Sequence, residues 1–166
     1  MNPWIEAVKS MKNLNRYDVI IMDTHPSSGM ATSYPLQSCD EVLVPLEPNE
    51  RSVSGFTEVC RAIMKARRVM NPDIHLLGYF FNKVKNNTSS AKEYIPSVRA
   101  EIPKVLTSFG EGIKESICFQ TTIRDSEDAQ KAINFHCAVT DKFRRGKLSK
   151  DFEKLYVEIK EALNHD

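Results

Sequence analysis

The chain has 166 residues, 41% of them hydrophobic and 27% charged, which is enough for one buried core and too apolar for a disordered tail. Lysine and arginine number 23 against 22 acids, a formal net charge of +1, so no global positive field recruits nucleic acid and any basic surface must be local. No apolar run approaches a bilayer span, and the opening MNPWIEAVKSMKNLNR lacks the apolar core of a secretion signal, which points to the cytoplasm.

In chain order, short apolar runs alternate with helical patterns. VIIM (19–22), VLVPL (42–46), LLGYFF (76–81) and ICFQTTI (117–123) read as strands. Several are apolar at consecutive positions, the mark of strands covered on both faces. Between the second and third, Phe56, Val59, Cys60, Ile63 and Met70 form a helical stripe that Ser52 or Ser54 caps and Pro72 ends. The other face of that helix carries Arg61, Lys65, Arg67 and Arg68, read as a solvated face. After LLGYFF, NKVKNNTSS is a polar loop. Ser89 or Ser90 starts a helix that Pro96 and Pro103 are expected to break, and SFGEG (108–112) is a turn. EDAQKAINF (127–135) reads as a short helix. A last helix, 151–163, places Phe152, Leu155, Tyr156, Ile159 and Leu163 on one face. The expected class is α/β: an open, mostly parallel sheet with helices on both faces, in a single domain over 1–166. Cys39, Cys60, Cys118 and Cys137 show no CxxC spacing and read as reduced core thiols rather than zinc ligands or disulfides.

The stretch YDVIIMDTHPSSG (17–29) drives an apolar run into Asp23 and then breaks it. In parallel sheets, ligands bind beyond the carboxyl ends of the strands. One carboxylate there suits a hydrated Mg2+. It also suits a plain Asx turn, and the motif by itself does not choose between them.

The longer stretch YDVIIMDTHPSSGMATSYPLQSCDEVLVPLEPNERSVSGF resembles the ParA/Soj/MinD family of P-loop ATPases. The matching features are Tyr17-Asp18, the apolar run to Asp23, Pro26, the segment from Asp40 to Pro45, and Ser54-Gly55. The resemblance extends through Asn71-Pro72 and Asn82 to TTIRDSEDAQKA and the final helix, and it favours the DNA-partition branch. It implies a partial P-loop NTPase fold and a plasmid or chromosome segregation ATPase that uses ATP and Mg2+. Asp23 would be the catalytic and metal-side carboxylate. Thr24, Pro26, Ser27 and Gly29 would form switch II, and Asn82, Arg124 and Asp125 would hold the nucleotide's base side. It also implies an ATP-dependent homodimer, a ParB-like centromere-binding partner and nonspecific DNA in a nucleoid-associated, cytoplasmic setting. The DNA candidates are Arg99, Lys104, Arg124 and the run Lys142, Arg144, Arg145, Lys147 and Lys150, whose bland alternative is a solvated loop.

Three departures qualify the resemblance. His25 stands where the family often has Pro or a small residue, and serves either to sense phosphate or to pack. Arg124 stands where the adenine loop often has Pro. The sequence also has no GxxxxGK followed by Ser or Thr, the loop that cradles phosphates with backbone N–H groups and a lysine. The expectation is therefore the C-terminal portion of a partition ATPase, without ATP turnover on its own. The alternative is a non-catalytic paralogue that binds DNA or a partner. A membrane-docking role of the MinD kind is disfavoured, because the last helix mixes Glu153, Glu158 and Glu161 with Lys154 and Lys160, and a membrane-surface helix wants a basic polar face.

Overall fold

Strands that are apolar at consecutive positions pair in parallel and are covered on both sides. The structure is a computed structural model that describes residues 3–14, 16–24, 34–85, 88–113 and 115–164. Helix α1 (Pro3–Asn13) leads to β1 (Glu41–Leu46), α2 (Ser52–Val69), β2 (His75–Phe81), α3 (Ser89–Thr107) and β3 (Ile117–Cys118). Three helices close the chain: α4 (Glu127–Asn134), α5 (Val139–Lys142) and α6 (Lys147–Leu163). The sheet is three-stranded and parallel, in the order β1-β2-β3.

Two apolar clusters lie on the two faces of this sheet. On one, Val44, Leu46, Leu76, Tyr79 and Phe81 meet Phe56, Cys60 and Ile63 of α2 and Val98 and Ile102 of α3. On the other, Leu43, Leu77, Phe80, Phe119 and Ile123 meet Ala129 of α4, Val139 of α5, and Leu148, Leu155 and Ile159 of α6. A register irregularity, where Val42 pairs with Leu76 but Leu43 with Gly78, inserts Leu77 as an extra residue in β2. That shift of phase lets Leu76, Tyr79 and Phe81 face the same layer. Tyr79 meets Phe56 edge-on at 5.2 Å and Phe81 at 6.4 Å between ring centres.

Three expectations are corrected. First, residues 17–22 form no strand: Val19 is 60% and Ile21 88% exposed, and the backbone from 19 to 24 is irregular. A strand is a pairing before it is a propensity, and among the described residues this segment has no ladder partner. Second, 89–107 is one helix despite Pro96 and Pro103. Both prolines are exposed and seven residues apart, on the outer face. Opposite them Val98, Ile102 and Leu106 are buried. Full burial contributes about 1.5–3 kcal/mol per side chain, against about 3 kcal/mol for an interior proline. Thr88 rather than Ser89 or Ser90 caps the helix, accepting from the Ala91 N–H at 3.3 Å.

Third, the last helix starts at Lys147 and turns a different stripe inward. Leu148, Ser149, Asp151 and Leu155 are buried, while Phe152 and Tyr156 are exposed. Asp151 and Glu158 explain this rotation. Asp151 grips Arg124. Glu158 accepts the Gln120 N–H at 2.7 Å, the Thr121 N–H at 3.0 Å and the Thr121 hydroxyl. The same carboxylate interrupts the fourth expected strand, which pairs only at 117–118 before its amides turn to Glu158. It rejoins β2 when Ile123 donates to Phe81 at 2.8 Å.

The helix α1, for which the sequence carried no expectation, buries Val8 and ties Lys12 to Asp40 at 2.6 Å. Among the described residues no helix is long and apolar enough to cross a membrane.

Candidate functional site

The carboxyl end of the sheet gathers residues from three separate stretches. After β1 the chain turns through Glu47 and Asn49 into α2. Ser52 is not the cap: it lies inside the helix, donates to the Glu47 carbonyl and accepts the Asn49 N–H at 3.2 Å. The cap position is Arg51, whose N–H is held by Asn49 Oδ1 at 2.9 Å and which makes no side-chain cap bond.

After β2 the Asn82 N–H extends the ladder to the Leu46 carbonyl at 2.8 Å. Lys83 then takes a left-handed conformation, φ 52, which costs a side-chain-bearing residue strain and turns the backbone sharply. The Asn82 side-chain oxygen accepts the Lys83 N–H at 3.0 Å and fixes that turn. The Asn82 amide nitrogen remains a donor at the sheet's end. Lys83 Nζ reaches Glu47 at 2.7 Å, and that carboxylate, with Asp125 further off, holds the lysine above its ordinary pKa.

The third stretch joins through an isolated parallel bridge between Val84 and Arg124. Val84 donates to the Ile123 carbonyl at 2.9 Å, and Asp125 donates to Val84 at 3.0 Å. Asn82, Arg124 and Asp125 thus share one edge of the fold, with Asp125 exposed. Arg124 is held from behind, its Nε 2.6 Å and its Nη2 2.8 Å from the two oxygens of Asp151.

Asp23 and Thr24 are exposed on the irregular segment, and Pro26, Ser27 and Gly29 lie outside the described residues. Among the described residues no group of three His, Cys, Asp or Glu side chains is placed to hold a metal.

The basic candidates divide between the faces. Arg99 sits on α3, its guanidinium 5.8 Å from the Phe81 ring centre and bonded to Gln120 at 3.2 Å. Lys104 is exposed in the last turn of the same helix. On the opposite face, Lys142 ends α5, Arg144 and Arg145 lie in the turn between α5 and α6, and Lys147 and Lys150 are on α6. There Lys142 lies 3.1 Å over the Phe135 ring. Arg144, Arg145, Lys147 and Lys150 are exposed, with no salt bridge among the described residues. The structure therefore joins Arg124 to the 142–150 run through Asp151 and leaves Arg99 and Lys104 elsewhere.

Sequence reasoning missed Glu47, Lys83, Asp151 and Glu158. Lys83 follows the singled-out Asn82 but carries no mark of its positive φ, and Asp151 lies 27 residues from its partner.

The cysteines are all free. Burial pushes the Cys39 and Cys60 thiols up to about 11, partly countered by their backbone hydrogen bonds.

The family model described as an AAA domain matches residues 4–76. The chromosome partitioning protein ParA of Myxococcus xanthus is 28% identical over 88 residues, 53% of this chain and 31% of that protein. The chromosome-partitioning ATPase Soj of Treponema pallidum is 27% identical over 101 residues, 61% of this chain and 37% of that protein. The matches thus span about a third of the length of these curated relatives. The cell division ATPase MinD of Pyrococcus furiosus superposes with a TM-score of 0.72 at 17% identity, over 95% of this chain and 57% of that one. An ATP complex of McdA from Cyanothece gives 0.72 at 20% identity, over 97% and 57%. The chain is thus similar in sequence to chromosome-partitioning proteins of the ParA and Soj type, and it shares the fold of the MinD and McdA structures.

Proposed function

We propose that the chain supplies the base-side and DNA-side portion of a ParA-type DNA partition ATPase. The observation that supports this best is the Val84–Arg124 bridge, which joins the segment that follows Asn82 to the segment that carries Arg124 and Asp125 at the sheet's carboxyl end. An amide donor and an exposed carboxylate on these two joined segments would suit the mixed donor and acceptor edge of adenine. In this reading Asn82 and Asp125 orient the base and Arg124 shapes the pocket wall from its anchored position. Asp23 would be the carboxylate on the side of a bound Mg2+, and Thr24, Pro26, Ser27 and Gly29 would form the segment that answers to the phosphates. ATP with Mg2+ supplies the phosphoryl group whose transfer the family couples to assembly. The residues present fit the base half of that ligand. They do not supply the phosphate half, because no GxxxxGK stretch occurs in the 166 residues, so the cradle has to come from other polypeptide. Nonspecific DNA meets the exposed cations of the 142–150 run, a ParB-like protein and a second copy complete the assembly, and the site of action is the cytoplasmic nucleoid.

A second reading, a non-catalytic paralogue that binds DNA or a partner, is favoured by the same missing loop. Nucleotide binding separates the two: a fluorescent adenine nucleotide that binds the chain and is lost in Asn82→Ala supports the ATPase reading.

The DNA side is tested by salt dependence, in the chain complemented with a P-loop-bearing partner half. Binding should weaken linearly with salt on logarithmic axes and ignore sequence. Changing Arg144 and Arg145 together to Ala should flatten that slope by about two units. An unchanged slope removes the run from the DNA surface.

A further inference from the structure

At the opposite, amino end of the sheet, the second half of α2 and the turn after α3 enclose a groove of about 480 Å3. Its lining combines the cations Arg61, Lys65 and Arg68 with the apolar side chains of Met64, Val69 and Phe109. The three cations are exposed. They succeed one another at i, i+4 and i+7, so they form one stripe along the helix. None of them makes an ion pair among the described residues. Arg67, between them in sequence, instead turns inward to the Ile74 carbonyl.

A solvated basic face explains the cations but not the concavity or its apolar lining. Val69 is 66% exposed, and Met64 and Phe109 are half-buried with an edge open to the groove. A nucleic-acid backbone would answer the charges and leave those apolar groups facing phosphate and sugar. A polypeptide answers both. Four residues of helix rise about 6 Å, close to the roughly 7 Å between same-side residues of an extended chain. Carboxylates on alternate residues of such a chain therefore match the Arg61–Lys65 step, and the shorter Lys65–Arg68 step of about 4.5 Å is within the reach of those long side chains.

We propose that this groove binds a short, extended acidic segment of a partner protein, its carboxylates on Arg61, Lys65 and Arg68 and its intervening apolar side chains on Met64, Val69 and Phe109. The site uses neither the nucleotide edge nor the 142–150 run, so it stands or falls independently of the partition reading.

The test is fluorescence anisotropy with the full chain and three labelled probes. These are a short peptide alternating glutamate with leucine, the same peptide with serine for leucine, and a random-sequence DNA duplex. The glutamate–leucine peptide should bind saturably and about tenfold more tightly than the glutamate–serine peptide. Lys65→Glu with Arg68→Glu should weaken it by about tenfold or more with the helical circular dichroism retained. Val69→Ser, at an exposed position that cannot disturb the core, should weaken the leucine peptide and leave the serine peptide unchanged. Equal binding of the two peptides overturns the proposal, as does no binding of either. If instead the duplex binds and the Lys65/Arg68 double variant loses it, the groove is a nucleic-acid surface and the proposal is also overturned.

Discussion

Arg124 and Asp151 are joined by two parallel hydrogen bonds, Nε to Oδ2 at 2.6 Å and Nη2 to Oδ1 at 2.8 Å, with side chains only 27% and 12% exposed. This pair pins the first turn of α6 to the end of the 117–124 segment, and the Arg124 N–H adds a third contact to the same carboxylate at 3.3 Å. Two-pronged pairs of this kind are geometrically specific, and removing one partner strands the other. Arg124→Ala and Asp151→Ala should each lower stability by about 2–4 kcal/mol in urea unfolding, and the double variant should cost clearly less than the sum of the singles. Additive losses would show that the two side chains act independently.

Gly78 sits where β2 passes β3. A methyl group there would run into the Ile117 carbonyl oxygen and come within 2.9 Å of the Phe119 ring. The obstacle is backbone, which cannot swing aside as a side-chain tip can. Gly78→Ala should therefore destabilise the chain by about 1–3 kcal/mol, the range of overpacked cores, seen as a lower thermal midpoint. Gly55→Ala, whose methyl would meet nothing within 4 Å in α2, is the matched control and should be neutral or slightly stabilising.

The thiols of Cys39 and Cys60, pushed up to about 11 by burial from an ordinary 9.0, give a pH dependence with a definite sign. A raised pKa in the folded state means that the folded chain holds its protons where the unfolded chain has lost them. The associated stability is full below pH 9 and is lost as pH rises from 9 toward 11. Denaturant midpoints should fall across that window, and Cys60→Ala should reduce the fall. At pH near 8 both thiols should react slowly with iodoacetamide until the chain unfolds.

Turnover should be undetectable for these residues alone. Phosphoryl transfer depends on positioning and charge stabilisation of the phosphates, and the sequence carries no loop to provide it. Steady-state phosphate release above blank that Asp23→Ala abolishes would contradict this.

By itself the sequence determined the alternation of apolar runs and helical stripes, and so a parallel sheet covered on both faces, because consecutive apolar residues have nowhere else to go. The nucleotide-side roles of Asn82, Arg124 and Asp125 rest on resemblance to a known pattern and belong to the proposed function. Tertiary structure decided which runs become strands. Residues 41–46 and 75–81 find each other, whereas 17–22, as apolar as either, has no ladder partner among the described residues and is irregular. It decided that Pro96 and Pro103 do not break α3, because the buried face outweighs two exposed prolines. It decided the facing of α6, because Asp151 and Glu158 bind groups 27 and 37 residues away in sequence, beyond the reach of any local periodicity. It also split the basic residues between the two faces, since a list of cations carries no information about which side of a sheet each helix will cover.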